Sequence, residues 1–284
     1  METTTEQLVT EAVQGSQKSL EEIIRRIQGK VFGLALRMLF HPADAEDATQ
    51  EILIKVITHL KSFRFEGPFN AWAMKIAANH LRSVRKGRVE RREFTMEKAQ
   101  GIIDRAEAMG WLSDLPEAPE PVMEVEMRSA CTQALLLALD RGHRMAFILG
   151  VVMDVKGSEG AFILDISAAA YRKRLSRARQ RVKDFLSRNC GFFNDANPCR
   201  CAGILEGHLK RGWVNPQKRL FAEEDGEDLE GNETLGAYMR ELDELGRVSA
   251  LYKASVLGEE TTDFSGVVKE LVENGEYRVF SELH

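Results

Sequence analysis

No apolar run in these 284 residues approaches the roughly 18 needed to span a bilayer. The longest stretches, "VFGLALRMLF" and "ALLLAL", have the length of core helices. The N-terminus "METTTEQLVTEA" has neither a basic segment nor an apolar one, so the reading is of a cytoplasmic protein without a secretory leader or a membrane partner. Strand signals are scarce, because β-branched residues rarely alternate with polar ones, whereas apolar residues recur at spacings of three and four almost throughout. Cysteine numbers only four, three of them crowded into "NCGFFNDANPCRC", which does not suit a disulfide framework in a chain of this size. No acid–base pair, nucleophile motif or phosphate-cradling loop accompanies them, and no enzyme is expected.

What is present is charge of both signs, unevenly spread. The chain carries a net charge of -5, which taken alone argues against a nucleic-acid partner. Residues 190–284, however, hold 10 Lys and Arg against 19 Asp and Glu, while residues 1–189 hold 29 against 25. The acidity belongs to the C-terminal third.

The periodicity predicts an all-α protein: two small helical domains joined by a linker, followed by a mostly helical C-terminal extension. The first block, residues 6–88, contains Leu20, Ile23, Ile24 and Ile27, then Leu34, Leu36 and Leu39. In "HPADAED" Pro42 interrupts and Asp44 is placed to cap the next helix. "FEGPFN" breaks the chain again before "AWAMKIAANHLRSVRK". Residues 89–128 lose periodicity and include Pro116, Pro119 and Pro121 among acidic residues, a composition that suits an exposed linker. A second helical block spans 129–189. The extension, 190–284, holds the cysteines, a hydrophilic "EEDGEDLEGNE" read as loop, and amphipathic helices near 233–257 and 264–274.

Seven basic side chains lie between Arg172 and Lys183, with no acidic one among them. On a helix beginning near Ala168, Tyr171, Leu175, Ala178, Val182, Phe185 and Leu186 form one apolar stripe, and Arg172, Lys173, Arg174, Arg177 and Arg181 lie off it. A solvated surface helix would look the same. The preceding "GSEGAFILDIS" tips the balance: a short helix with apolar Ala161, Ile163 and Leu164, a tight turn at Asp165 and Ile166, and Ser167 placed to cap the basic helix. That is the outline of a helix-turn-helix, whose second helix enters the major groove.

"SEGAFILDISAAAYRKRLSRARQRV" resembles the fourth-region helix-turn-helix of bacterial sigma factors of the extracytoplasmic-function group, in the sigma-70 family; at Asp165 the family usually has glycine. "HPADAEDATQEILIKVITHLKSFR" is similar to the family's segment that docks on the polymerase clamp helices, and "FNAWAMKIAANHLRSVRKGR" to its segment that melts and reads the -10 element. The resemblance implies a factor that binds core RNA polymerase and promoter DNA, with no catalytic group or cofactor of its own. It places Asp44, Asp47, Gln50, Glu51 and Ile54 at the polymerase, with Ile52, Val56 and Leu60 as apolar contacts; an acidic first turn satisfied by its own helix dipole is the alternative. It places Trp72, Asn79, Arg82, Arg85 and Lys86 at the -10 element, where melted bases need a π-face and a cationic track. For Trp72, packing with Ile76 and Leu81 is the favoured reading. At the -35 element it places Ser167, Ala169, Arg172, Lys173, Arg174 and Arg177, with Arg177, Arg179 and Arg181 toward phosphate.

In the extension, Cys190, Cys199, Cys201 and His208 would complete a tetrahedral zinc site, although the Cys190–Cys199 spacing is not that of a zinc ribbon; free thiols or a redox-responsive pair are the competing readings. Cys131, in an apolar helix, reads as core. A tethered segment so acidic can compete with phosphate for two basic faces, so either residues 190–284 or an anti-sigma factor would restrain promoter binding. A polymerase-independent helix-turn-helix regulator with a metal- or redox-sensing C-terminal segment is the alternative, which leaves the first block unexplained.

Overall fold

The helices predicted by period before residue 190 are present in the computed structural model, which describes residues 3–85, 90, 93–110, 112, 121–210, 214–217, 219, 235, 238–254, 264 and 266. No β-strand occurs among the described residues; a lone bridge pairs Cys190 with Cys199. The chain divides into two compact units. One comprises residues 1–89, 156–171 and 260–284, and the other residues 90–155 and 172–259.

The first unit begins with α1 (Thr5–Val13), opened by a reciprocal cap in which Gln7 N–H donates to Thr4 Oγ1 and Thr4 N–H donates to Gln7 Oε1. α2 (Gln17–Leu39) ends at Phe40 in the left-handed region. α3 (Pro42–Thr58) starts two residues before Asp44: His41 is the cap, proline takes the first helical position where its missing N–H costs nothing, and Asp44 lies in the first turn. α4 (Phe69–Ser83) comes after the exposed loop. Ile23, Ile24, Ile27, Val31 and Leu34 of α2 close with Ile52, Leu53 and Val56 of α3 and Ala73, Ala77 and Leu81 of α4 into one buried core. Farther along the chain, α8 (Gly157–Leu164) packs on α4.

In the second unit, the stretch expected as linker holds α5 (Met96–Ala108), capped by Thr95. Only Ala99 and Ala106 are buried on α5, so its apolar stripe is too thin to register as a period in the sequence. α6 (Pro121–Leu137) starts on a proline; residues 113–120 lie outside the described residues. α7 (Arg141–Phe147), capped by Asp140, continues as a π-helical turn over Ile148–Val152. The long α9 (Ala168–Asn189), which belongs to this unit from Arg172 onward, is followed by α10 (Cys201–Lys210) and α11 (Glu244–Lys253). α11 completes the core: Tyr252 is fully buried, its ring stands edge-on 4.8 Å from Phe147, and its hydroxyl donates to the Thr132 carbonyl at 3.0 Å. The acidic "EEDGEDLEGNE" and, apart from Phe264 and Gly266, the helix expected over 264–274 lie outside the described residues.

Candidate nucleic-acid and polymerase interface

On α3 the carboxylates and Ile54 share one outward face, set by spacings of three and four from Asp44 through Asp47 and Glu51. Asp47 and Glu51 are exposed, and Asp44, Gln50 and Ile54 half-buried. Ile52, Val56 and Leu60, expected as apolar contacts around this surface, are instead buried in the unit's own core. Behind the face, Lys55 Nζ sits 2.6 Å from His80 Nδ1, and Glu51 Oε2 lies 3.8 Å from His80 Nε2. Burial holds the His80 imidazole below its usual pKa; Lys55 adds to this and Glu51 opposes it.

Trp72 is half-buried in an aromatic cluster, its ring 5.5 Å from Phe63 and 5.4 Å from Phe69. One member has no signal in the sequence: Phe65, 51 % exposed with its ring 4.7 Å from Phe63, has φ 57, a left-handed conformation that bulky residues rarely adopt. Asn79, Arg82 and Arg85 are exposed at the C-terminal half of α4 and beyond, whereas Lys86 lies outside the described residues. Arg82 donates to Asn79 Oδ1 at 2.5 Å.

The helix-turn-helix is built as its sequence directs. α8 ends at Asp165, left-handed with φ 56, and Ser167 Oγ accepts from Ala170 N–H at 3.1 Å to open α9. Tyr171, Ala178, Val182 and Leu186 are buried and Leu175 and Phe185 half-buried, so the apolar stripe faces inward. Gly160 is a residue that the sequence does not single out. Tyr171 lies so close over it that a Cβ there would stand 2.3 Å from the ring. On the opposite side Ala169, Arg172, Lys173 and Arg177 are exposed, with Ser167 at their head.

The four other cations of the run are engaged within the protein, Lys183 through Glu244 Oε2 at 2.9 Å. The half-buried Arg174 lies over Gly142, where a Cβ would meet its Cζ at 3.6 Å. Arg179, expected at phosphate, donates to the carbonyl of Gly150 in the π-helical turn at 3.0 Å. Arg181 lies 3.9 Å from Asp140.

All four cysteines are free thiols. Gly191 N–H donates to the Cys199 carbonyl at 3.0 Å, holding the Cys190 and Cys199 backbones together. Burial pushes the Cys199 thiol up to about 12 and that of Cys201 higher still, so both stay protonated at neutral pH. Among the described residues no three His, Cys, Asp or Glu side chains converge closely enough to hold a metal ion, and His208 Nδ1 is instead 2.9 Å from the Ile204 carbonyl. The zinc arrangement expected for Cys190, Cys199, Cys201 and His208 is therefore not formed; α10 starts at Cys201 and carries His208 on its own turn. Cys131, expected in the core, is exposed on α6.

Residues 23–89 match a family model described as Sigma-70 region 2. Over 180 residues the chain is 27% identical to the RNA polymerase sigma factor CnrH of Cupriavidus metallidurans, covering 63% of this chain and 92% of that one. It is 29% identical over 181 residues to the ECF RNA polymerase sigma-E factor of Escherichia coli, again 63% and 92%. With the ECF RNA polymerase sigma factor SigE of Mycolicibacterium smegmatis it shares 28% identity over 178 residues, 62% of this chain and 65% of that protein. A solved structure of CnrH in complex with the cytosolic domain of CnrY superposes with a TM-score of 0.45 at 22% identity, over 63% of this chain and 95% of that one. The chain is thus similar to Sigma-70 region 2 over residues 23–89 and to RNA polymerase sigma factors, two of them of the ECF group, over 62–63% of its length.

Proposed function

We propose that the protein is a sigma factor that binds core RNA polymerase, recognises -35 and -10 promoter elements in the cytoplasm and opens DNA, without catalytic chemistry of its own. The observation that carries this reading is the presence, on one chain with a Sigma-70 region 2 match, of a capped helix-turn-helix whose second helix buries one face and exposes Ala169, Arg172, Lys173 and Arg177 on the other. Residues 6–88 dock the polymerase and read the -10 element, residues 129–189 read the -35 element across the linker 89–128, and residues 190–284 regulate.

In this reading Asp44, Asp47, Gln50, Glu51 and Ile54 meet the polymerase. Asn79 offers a donor and an acceptor to a melted base, Arg82, Arg85 and Lys86 hold the strand, and the rings of Trp72 and Phe65 supply a π-face. Ser167, Ala169, Arg172, Lys173, Arg174 and Arg177 approach the duplex at the major groove and the phosphates beside it. An anti-sigma factor, or the chain's own residues 190–284, restrains the factor until a signal arrives. No helix among the described residues is long and apolar enough to cross a membrane.

The test is co-elution of the full chain with purified core RNA polymerase, compared with Asp47→Lys and Glu51→Lys. Reversing exposed charges at a complementary interface should weaken association roughly tenfold or more while leaving the helical content unchanged. Binding of the reversed chains at full strength would remove α3 as the docking face, and no association of the parent chain would remove the sigma reading.

A further inference from the structure

Arg82, assigned above to the -10 element, and its neighbour Lys75 on α4 are engaged by the turn of the helix-turn-helix. Lys75 of α4 reaches the turn, its Nζ 2.7 Å from Asp165 Oδ1 and 4.9 Å from the centre of the exposed Phe162 ring. Two helical turns on, Arg82 Nη1 donates to the Leu164 carbonyl at 3.2 Å, at the C-terminus of α8 where carbonyls lack helical partners. The same guanidinium donates through its other nitrogen to Asn79, so a base-reading amide and its neighbouring cation are both occupied. All these groups lie in one compact unit.

We propose that Asp165 is a latch: by pairing with Lys75 it closes the helix-turn-helix turn onto α4 and withholds Asn79 and Arg82 from DNA until the two helices separate. The inference rests on the sigma reading for what is withheld, though the contact stands without it. Geometry requires the separation. The centres of -10 and -35 elements are, as their names state, about 25 base pairs apart, roughly 85 Å at 3.4 Å per pair. α4 on one element and α9, which begins three residues after Asp165, on the other cannot keep a 2.7 Å contact.

The latch also accounts for Asp165 standing where the family usually has glycine. Asp tolerates the left-handed backbone almost as glycine does and adds the carboxylate that finds Lys75. Lys75 holds that carboxyl below its usual pKa, chiefly through their hydrogen bond. Because the Asp165 side chain is 71% exposed, the pair is weak and salt-screened, a contact that polymerase or promoter can displace.

Hydrogen–deuterium exchange of the full chain tests this directly. Asp165→Asn keeps both the left-handed backbone and the side-chain shape, and should raise exchange over residues 157–166 and in the C-terminal half of α4 by about two- to fivefold, the range of an exposed ion pair. Lys75→Gln should do the same, and the double variant no more than either alone. Initiation by Asp165→Asn with core polymerase on a pool of genomic fragments should be at least that of the parent chain. Unchanged exchange in Asp165→Asn, or additive effects in the double variant, would overturn the latch even if initiation is normal. Raised exchange with no initiation by any chain would support the latch and remove the sigma reading instead.

Discussion

Gly160 shows how one side chain's absence fixes the approach of two helices. It costs α8 about 1 kcal/mol of helix propensity relative to alanine, yet the fully buried Tyr171 occupies the space a Cβ would take. Gly160→Ala should therefore destabilise the first unit by about 1–2 kcal/mol despite better propensity, and Gly160→Leu by more, read as a lowered midpoint in urea. A stabilised Gly160→Ala would mean that the ring can move aside at no cost. Nothing local in "GSEGAF" announces this, because the glycine's partner lies eleven residues on across the turn. Ser167 is legible because a cap acts on its own neighbourhood, and Asp165 because a left-handed turn restricts residue type.

The elements divide in the same way. α2, α3, α4 and α9 bury broad stripes and can be read from period alone, whereas α5 buries two alanines and reads as linker. The basic run meets a similar limit: which cations are engaged depends on partners distant in sequence, such as the Gly150 carbonyl for Arg179 and Asp140 for Arg181. Element junctions also hold the second unit's buried charge. Arg144 donates to the Leu136, Leu137 and Leu139 carbonyls, capping the C-terminus of α6, and to Glu90 Oε1 at 2.8 Å, while Arg141 donates to both Glu90 oxygens. Burial works against the Glu90 charge, but hydrogen bonds and charge from Arg141 and Arg144 outweigh it and hold its carboxyl below the unperturbed 4.5. A depressed carboxyl pKa contributes stability that is full above the unfolded value and lost as pH falls through the folded one. Glu90→Gln, leaving two guanidinium groups short of their carboxylate, should cost about 3 kcal/mol at neutral pH and flatten the acid limb of the stability–pH curve. An unaltered acid limb would locate the acid sensitivity elsewhere.

At the scale of the whole molecule, charge alone misleads in one respect and informs in another. Confining the excess of acid to residues 190–284 keeps the basic helices from being dismissed, but it hides the fact that α10 and α11 are structural: Leu205 packs with Met127 of α6, and Tyr252 with Phe147. Two patterns in the first 189 residues, the region 2 segment and the capped helix-turn-helix, carry the sigma reading together, because their order on one chain is what a promoter-recognition factor needs. The cysteines are the least legible, since crowding in sequence does not direct sulfurs to one point. The central claim is that this chain directs initiation. Run-off transcription with the full chain, purified core RNA polymerase and a pool of genomic fragments should give discrete transcripts that depend on the added chain and weaken when Arg172 and Lys173 are changed to alanine. Transcript patterns indistinguishable from core polymerase alone would contradict it.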